Sequence, residues 1–158
     1  LQLLLTDDAD LADTGMRGAG AGGARGGSTA GAPAPCITWV ERVSAARAAL
    51  EAAERDGAPY DVALLDLSLP DGRGLATVTA VRDAAPTVPI VVLTGLDDEA
   101  LAVQALAAGA QDYLVKGAVT GTGVRRSVRH AMERQRLLLE AQRATRARDV
   151  VLGVVAHD

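Results

Sequence analysis

Short aliphatic runs, separated by longer stretches of mixed polarity, organise the chain. LQLLL at 1–5, CITWV at 36–40, DVALLDL at 61–67, PIVVLT at 89–94 and DYLV at 112–115 all have strand length, and their apolar residues are continuous rather than alternating. That is the pattern of strands covered on both faces, as in a parallel sheet. Between them, apolar residues recur at helical spacing over 44–56, 74–84 and 97–108, the last with Asp97 or Asp98 to cap its start and Gly109 to end it. Strand and helix alternate, so the class is α/β with helices on both faces of the sheet.

The first crossover departs from this rhythm. Residues 10–35 are so rich in Gly and Ala that only a short helix near 9–16 is expected before a flexible loop, because each Gly costs about 1 kcal/mol of helix stability relative to Ala. GAGAGGARGG lacks the Lys-Ser/Thr of a phosphate-binding loop and reads as a low-complexity linker. From Gly123 to Asp158 there is no proline and Gly153 is the one internal glycine. A helix over that span is roughly 50 Å long at about 1.5 Å per residue, too long to pack wholly on a domain of this size. Val128, Ala131, Leu138, Thr145 and Leu152 give it an apolar stripe near coiled-coil spacing, interrupted by Gln135, Gln142 and Asp149.

Composition narrows the class. The 158 residues are 49% hydrophobic and 23% charged, ordinary for a soluble globular protein, which argues against general disorder. Aromatics are 2% with no Phe, so the core must be aliphatic. One cysteine, Cys36, allows no internal disulfide, no Cys/His cluster offers a zinc site, and the chain reads as cytoplasmic. No run approaches the roughly 18 apolar residues needed to cross a bilayer. The chain opens on Leu, directly in a strand-like run and without the basic flank of a signal peptide, which suggests a fragment. The net charge of −4 divides unevenly: eight arginines against four acids from Val124 to Asp158 give 8 − 4 = +4, leaving −8 for the rest. Those arginines alternate with Leu, Ala, Gln and Glu, which favours a solvated helix face over direct nucleic-acid binding.

In an open parallel sheet, ligands bind beyond the carboxyl ends of the strands. Those ends carry Asp7 and Asp8 after the first run, Asp66 at the third, Thr94 at the fourth and Lys116 after the fifth. Three carboxylates in one cleft repel and raise one another's pKa unless a cation joins them. Mg²⁺, a hard ion that prefers oxygen ligands, makes sense of the cluster.

Four blocks, LLLTDD, DVALLDLSLPDGRGL, VVLTG and GAQDYLVKG, resemble in order and spacing the signature blocks of the receiver domain of two-component response regulators. The resemblance covers about residues 1–130. It implies a flavodoxin-like (CheY-like) doubly wound five-stranded parallel sheet of strand order 2-1-3-4-5, with a receiver at 1–122 and the long helix at 123–158. It implies that Asp66 accepts a phosphoryl group from the phosphohistidine of a histidine kinase or phosphotransfer protein. Asp8, Asp66 and the backbone carbonyl of Ser68 would ligate Mg²⁺, with Asp7 helping through water. Lys116 would add a second positive contact, Thr94 would donate its hydroxyl to the phosphorylated Asp66, and Tyr113 would follow as a rotamer switch. Two features depart from the family pattern: Gly117 stands where a proline is usual, and the Gly-rich segment replaces much of the first helix.

The closing ARDVVLGVVAHD resembles the start of the dimerisation and phosphoacceptor helix of histidine kinases, with His157 as the phosphorylated histidine. The chain then reads as the front of a hybrid sensor kinase, a phosphoacceptor that itself lacks an ATP-binding domain and forms a homodimer through its C-terminal helix. A receiver joined to another output, such as a cyclase or phosphatase, and a phosphorylation-independent dimerisation module are the alternatives.

Overall fold

The computed structural model describes residues 37–95 and 99–155. In chain order its elements are α1 (Val43–Arg55), β1 (Ala63–Asp66), β2 (Ser68–Leu69), β3 (Gly72–Arg73), α2 (Leu75–Ala84), β4 (Ile90–Thr94), α3 (Glu99–Ala107), β5 (Asp112–Val115) and α4 (Gly121–Val155). The aliphatic runs at 61–67, 89–94 and 112–115 supply β1, β4 and β5, which form a parallel sheet in the order β1-β4-β5. Ala63 pairs with Ile90 and Asp66 with Leu93; Val91 pairs with Asp112 and Thr94 with Val115. These are the last three strands of the expected order. The run at 1–5, the Gly-rich segment and Cys36 lie outside the described residues.

Residues 37–40, expected as part of a strand, carry none. A strand exists only through its ladder, and the neighbour expected for this segment, 1–5, is not among the described residues. Ile37 and Trp39 are exposed there. A second feature not expected from the sequence follows Asp66: Ser68–Leu69 and Gly72–Arg73 form a minimal antiparallel hairpin, β2–β3.

Both faces of the sheet are buried, which explains why its strands read as continuous apolar runs. Ala63, Leu65, Ile90 and Val92 point to one side, where Val43 and Leu50 of α1, Val78 and Val81 of α2 and Ala105 of α3 close over them. Val62, Leu64 and Val91 lie on the other side under Val128 and Ala131 of α4.

Helix ends follow local chemistry. At the end of α1, Gly57 takes φ 71°, the Ala58 N–H donates to Ala53 O at 3.0 Å, and the left-handed glycine stops the helix. Gly109, φ 111°, ends α3 in the same way, with the Ala110 N–H on Ala105 O at 3.0 Å. Helix α4 begins at Gly121, two residues before the expected start, because the Thr120 hydroxyl accepts the Gly123 N–H at 3.1 Å and caps it.

Polar ties join α4 to β5 across an otherwise aliphatic contact. The buried Ser127 hydroxyl donates to Asp112 Oδ2 at 2.5 Å, Gln111 Nε2 donates to Gln135 Oε1 at 3.2 Å, and Gln135 Nε2 reaches Pro86 O at 3.4 Å. Beyond Gln135 the helix surface becomes mostly exposed, including Leu137 and Leu138. Among the described residues no helix is long and apolar enough to cross a membrane.

Candidate functional site at the carboxyl ends of the strands

Asp66 is the last residue of β1, so its carboxylate stands where the sheet stops and the chain must turn. Its Oδ1 accepts the Ser68 N–H at 2.9 Å, a local bond that holds the carboxylate over the start of β2. Its Oδ2 is paired with the Lys116 ammonium. The pair sits at the mouth of the sheet, with the Asp66 side chain 16% exposed and Lys116 45% exposed. Solvent screens such a contact, so its worth lies in placing a cation beside the carboxylate more than in stability.

Strand register brings Lys116 there. Its own N–H donates to Thr94 O at 2.8 Å, extending the β4–β5 ladder by one step past the Thr94–Val115 pair. Gly117 follows with φ 84°, a left-handed turn open to glycine, so the chain bends away immediately after the lysine. The proline usual in the family is not needed to bring Lys116 to Asp66.

Thr94 ends β4, one residue beyond the partner of Asp66. It is 2% exposed, and its hydroxyl has no hydrogen-bond partner among the described residues. Tyr113, opposite Val92 on β5, is half-buried against the three-helix side of the core.

The structure therefore brings together Asp66, Lys116 and Thr94, with Ser68 adjoining through its N–H and Tyr113 one pleat back. Asp7, Asp8 and His157 lie outside the described residues. Among the described residues no group of three His, Cys, Asp or Glu side chains forms a metal cluster.

One residue of this region escaped sequence reasoning. Asp71 looks like a turn residue after Pro70, yet its carboxylate accepts the Val43 N–H at 2.7 Å, the Ser44 N–H at 3.0 Å and the Ser44 hydroxyl at 2.8 Å. These bonds, led by the one from the Ser44 backbone, lower its pKa from the ordinary 3.8 to about 2. The sequence hint was negative: Arg42, just before α1, is not one of the short polar residues that cap a helix, and in the structure it makes no side-chain cap bond.

Comparison with known proteins agrees with this architecture. The family model described as response regulator receiver domain matches residues 36–127. The swarming motility regulation protein RssB of Serratia marcescens is 46% identical over 57 residues, 36% of this chain and 26% of that protein. The photosynthetic apparatus regulatory protein RegA of Rhodobacter capsulatus is 52% identical over 56 residues, 35% of this chain and 30% of that protein. The chain thus spans less than a third of the length of these curated relatives. The crystal structure of a response regulator receiver domain protein from Clostridium thermocellum is 26% identical, with 59% of this chain and 73% of that one superposed at a TM-score of 0.50. With a sheet of this order, a carboxylate and an ammonium paired at its carboxyl end and a family match over more than half its length, the chain belongs to the response regulator receiver domain family, the phosphoacceptor module of two-component signalling.

Proposed function

We propose that Asp66 is the residue that takes the phosphoryl group, from a phosphohistidine presented by a histidine kinase or phosphotransfer protein. An Asp66 carboxylate oxygen attacks phosphorus, the P–N bond breaks, and the departing imidazole nitrogen is reprotonated from water. The observation that carries the reading is the Thr94 hydroxyl, buried without a partner among the described residues at the strand end next to the Asp66–Lys116 pair. A buried hydroxyl left unpaired costs roughly 1–3 kcal/mol, so its persistence calls for an explanation. A phosphoryl oxygen on Asp66 supplies the missing acceptor.

The other residues take roles from where they stand. The Lys116 ammonium is already beside the carboxylate and can follow the added charge, about −1.5 to −2 on a phosphorylated side chain. As Thr94 and Lys116 turn toward the phosphoryl oxygens, Tyr113 turns into the space released, and β5 carries the change toward α4. Mg²⁺ fits the donors described: the Asp66 carboxylate and the Ser68 carbonyl are hard oxygens, and each Asp66 oxygen keeps a lone pair beyond its present bond. Asp8 would join them directly and Asp7 through water. When bound, the ion neutralises charge on the phosphoryl oxygens.

The test is intact-mass analysis after incubation with acetyl phosphate and Mg²⁺. The wild-type chain is expected to gain one phosphoryl group and Asp66→Asn none; equal labelling of both overturns the assignment.

At a finer level, residues 1–122 form the receiver and 123–158 the connection to a kinase core, with His157 as a phosphohistidine and α4 as the seam of a homodimer. The support is the VVAHD resemblance together with Leu137 and Leu138, exposed on α4 beyond the body. ATP-dependent labelling of a chain extended past Asp158, lost in His157→Gln, is the expected result. An extension that encodes no ATP-binding domain points instead to a receiver serving another output.

A further inference from the structure

The hairpin that follows Asp66 is fastened to a helix on the far side of the loop. Helix α1 leaves its first backbone N–H groups without intrahelical partners, as every helix does, and its own N-cap residue, Arg42, offers none. The Asp71 carboxylate, 27 and 28 residues further on, takes the Val43 and Ser44 N–H groups and the Ser44 hydroxyl. Gly72 completes the fastening by contact. A Cβ there would stand 2.6 Å from Val43 Cγ2 and 2.9 Å from Thr77 Oγ1, so only glycine lets the hairpin lie this close to α1 and α2.

Between this fastening and Asp66 the chain has little slack. Ser68 pairs with Arg73 and Leu69 with Gly72. The Gly74 N–H closes on Leu67 O at 3.0 Å, and the Ser68 N–H closes on Asp66 Oδ1 at 2.9 Å. A shift at Asp71 is therefore passed to Ser68 and the Asp66 carboxylate instead of being absorbed in a flexible turn.

We propose that Asp71 is a positioning residue for the acceptor site: by clasping the β2–β3 hairpin to the first turn of α1, it fixes where the Ser68 backbone and the Asp66 carboxylate stand. The inference rests on the reading of Asp66 as phosphoacceptor and Ser68 as its metal-binding neighbour. The Asp71 pKa of about 2 agrees with it, since the carboxylate stays charged and bonded at any pH where the phosphoryl chemistry runs.

The experiment uses the full chain as wild type, Asp71→Ala, Asp71→Asn, Ser44→Ala and Leu50→Ala. The last loosens the buried side of α1 without touching the clasp. Calorimetric Mg²⁺ titration without phosphodonor gives the dissociation constant, and labelling by acetyl phosphate against Mg²⁺ concentration gives a half-saturation point and a saturated rate. Asp71→Ala is expected to raise both Mg²⁺ constants about tenfold, in the range of supporting residues around a metal site, while the saturated rate changes less than about threefold. Asp71→Asn, which keeps an acceptor oxygen, is expected to recover most of the affinity, and Ser44→Ala to lose a smaller factor. Leu50→Ala is expected to lower the thermal midpoint more than any of them yet leave Mg²⁺ affinity within about twofold. Equal weakening in Leu50→Ala and Asp71→Ala, no Mg²⁺ binding by the wild type, or unchanged affinity in both Asp71 variants overturns the proposal. Should wild type and Asp66→Asn be labelled alike while the affinity order above holds, the acceptor reading falls and the clasp stands.

Discussion

Alternate residues of the same strands build two unlike interiors. Ala63, Leu65, Ile90 and Val92 lie beneath α1, α2 and α3, while Val62, Leu64 and Val91 meet α4 alone among the described residues. The first side is closed by Val and Leu side chains from α1 and α2 and by Ala105 from α3. Among the described residues the second is closed by two buried side chains, Val128 and Ala131, and is kept in register by Ser127 on Asp112 and Gln135 on Gln111. Aliphatic contact sets which face of a helix is buried but not its fine register, whereas a hydrogen bond fixes both distance and angle. One side is thus built for cohesion and the other for a defined but adjustable seat.

Truncating the two sides tests that contrast most strongly. Leu65→Ala is expected to cost about 3–4 kcal/mol, and Leu64→Ala about 2–3 kcal/mol because α4, the one helix over it among the described residues, can settle into the gap. Urea unfolding at unchanged slope reads both, and an equal or reversed order breaks the comparison.

Acid provides a second test, confined to the three-helix side. The folded pKa of Asp71, about 2, lies below its ordinary 3.8, so its contribution is complete above about pH 4 and is lost as pH falls toward 2. The thermal midpoints of wild type and Asp71→Asn should differ at neutral pH and converge near pH 2. A difference that persists at pH 2 contradicts the clasp. The smallest change is expected past the seat of α4: Leu137→Ala and Leu138→Ala, both more than half exposed, should move stability by less than about 0.5 kcal/mol while weakening any self-association seen in sedimentation.

Much of this was legible from local pattern. Continuous apolar runs located β1, β4 and β5, Gly109 marked the end of α3, and the strand-end rule placed Asp66, Thr94 and Lys116 on one edge because parallel strands all finish on the same side. What was hidden depends on partners far along the chain. Asp71 caps a helix that starts 28 positions earlier, and nothing in LPDGRG names Val43 or Ser44 as its target. The hairpin at 68–73 has two residues per strand, too few for any alternation to register. The start of α4 was missed by two residues because Thr120 was not recognised as its cap. The stretch 37–40 has strand-like residues, but residue type alone does not supply a neighbour to bond with.

The 35 residues of α4 also have a mechanical meaning. Among the described residues its last polar tie to the body is Gln135, which leaves 155 − 135 = 20 residues, roughly 30 Å at about 1.5 Å per residue, running on as an arm. A tilt of about 10° at the seat sweeps residue 155 through roughly 5 Å, the length of a full helical turn. Such a tilt needs a shift of only about 2 Å across the roughly 12 Å seat from Ser127 to Gln135, so an adjustment of β5 beside Lys116 would arrive at the far end of the arm more than doubled, enough to bring one set of side chains, or the next, against whatever stands there.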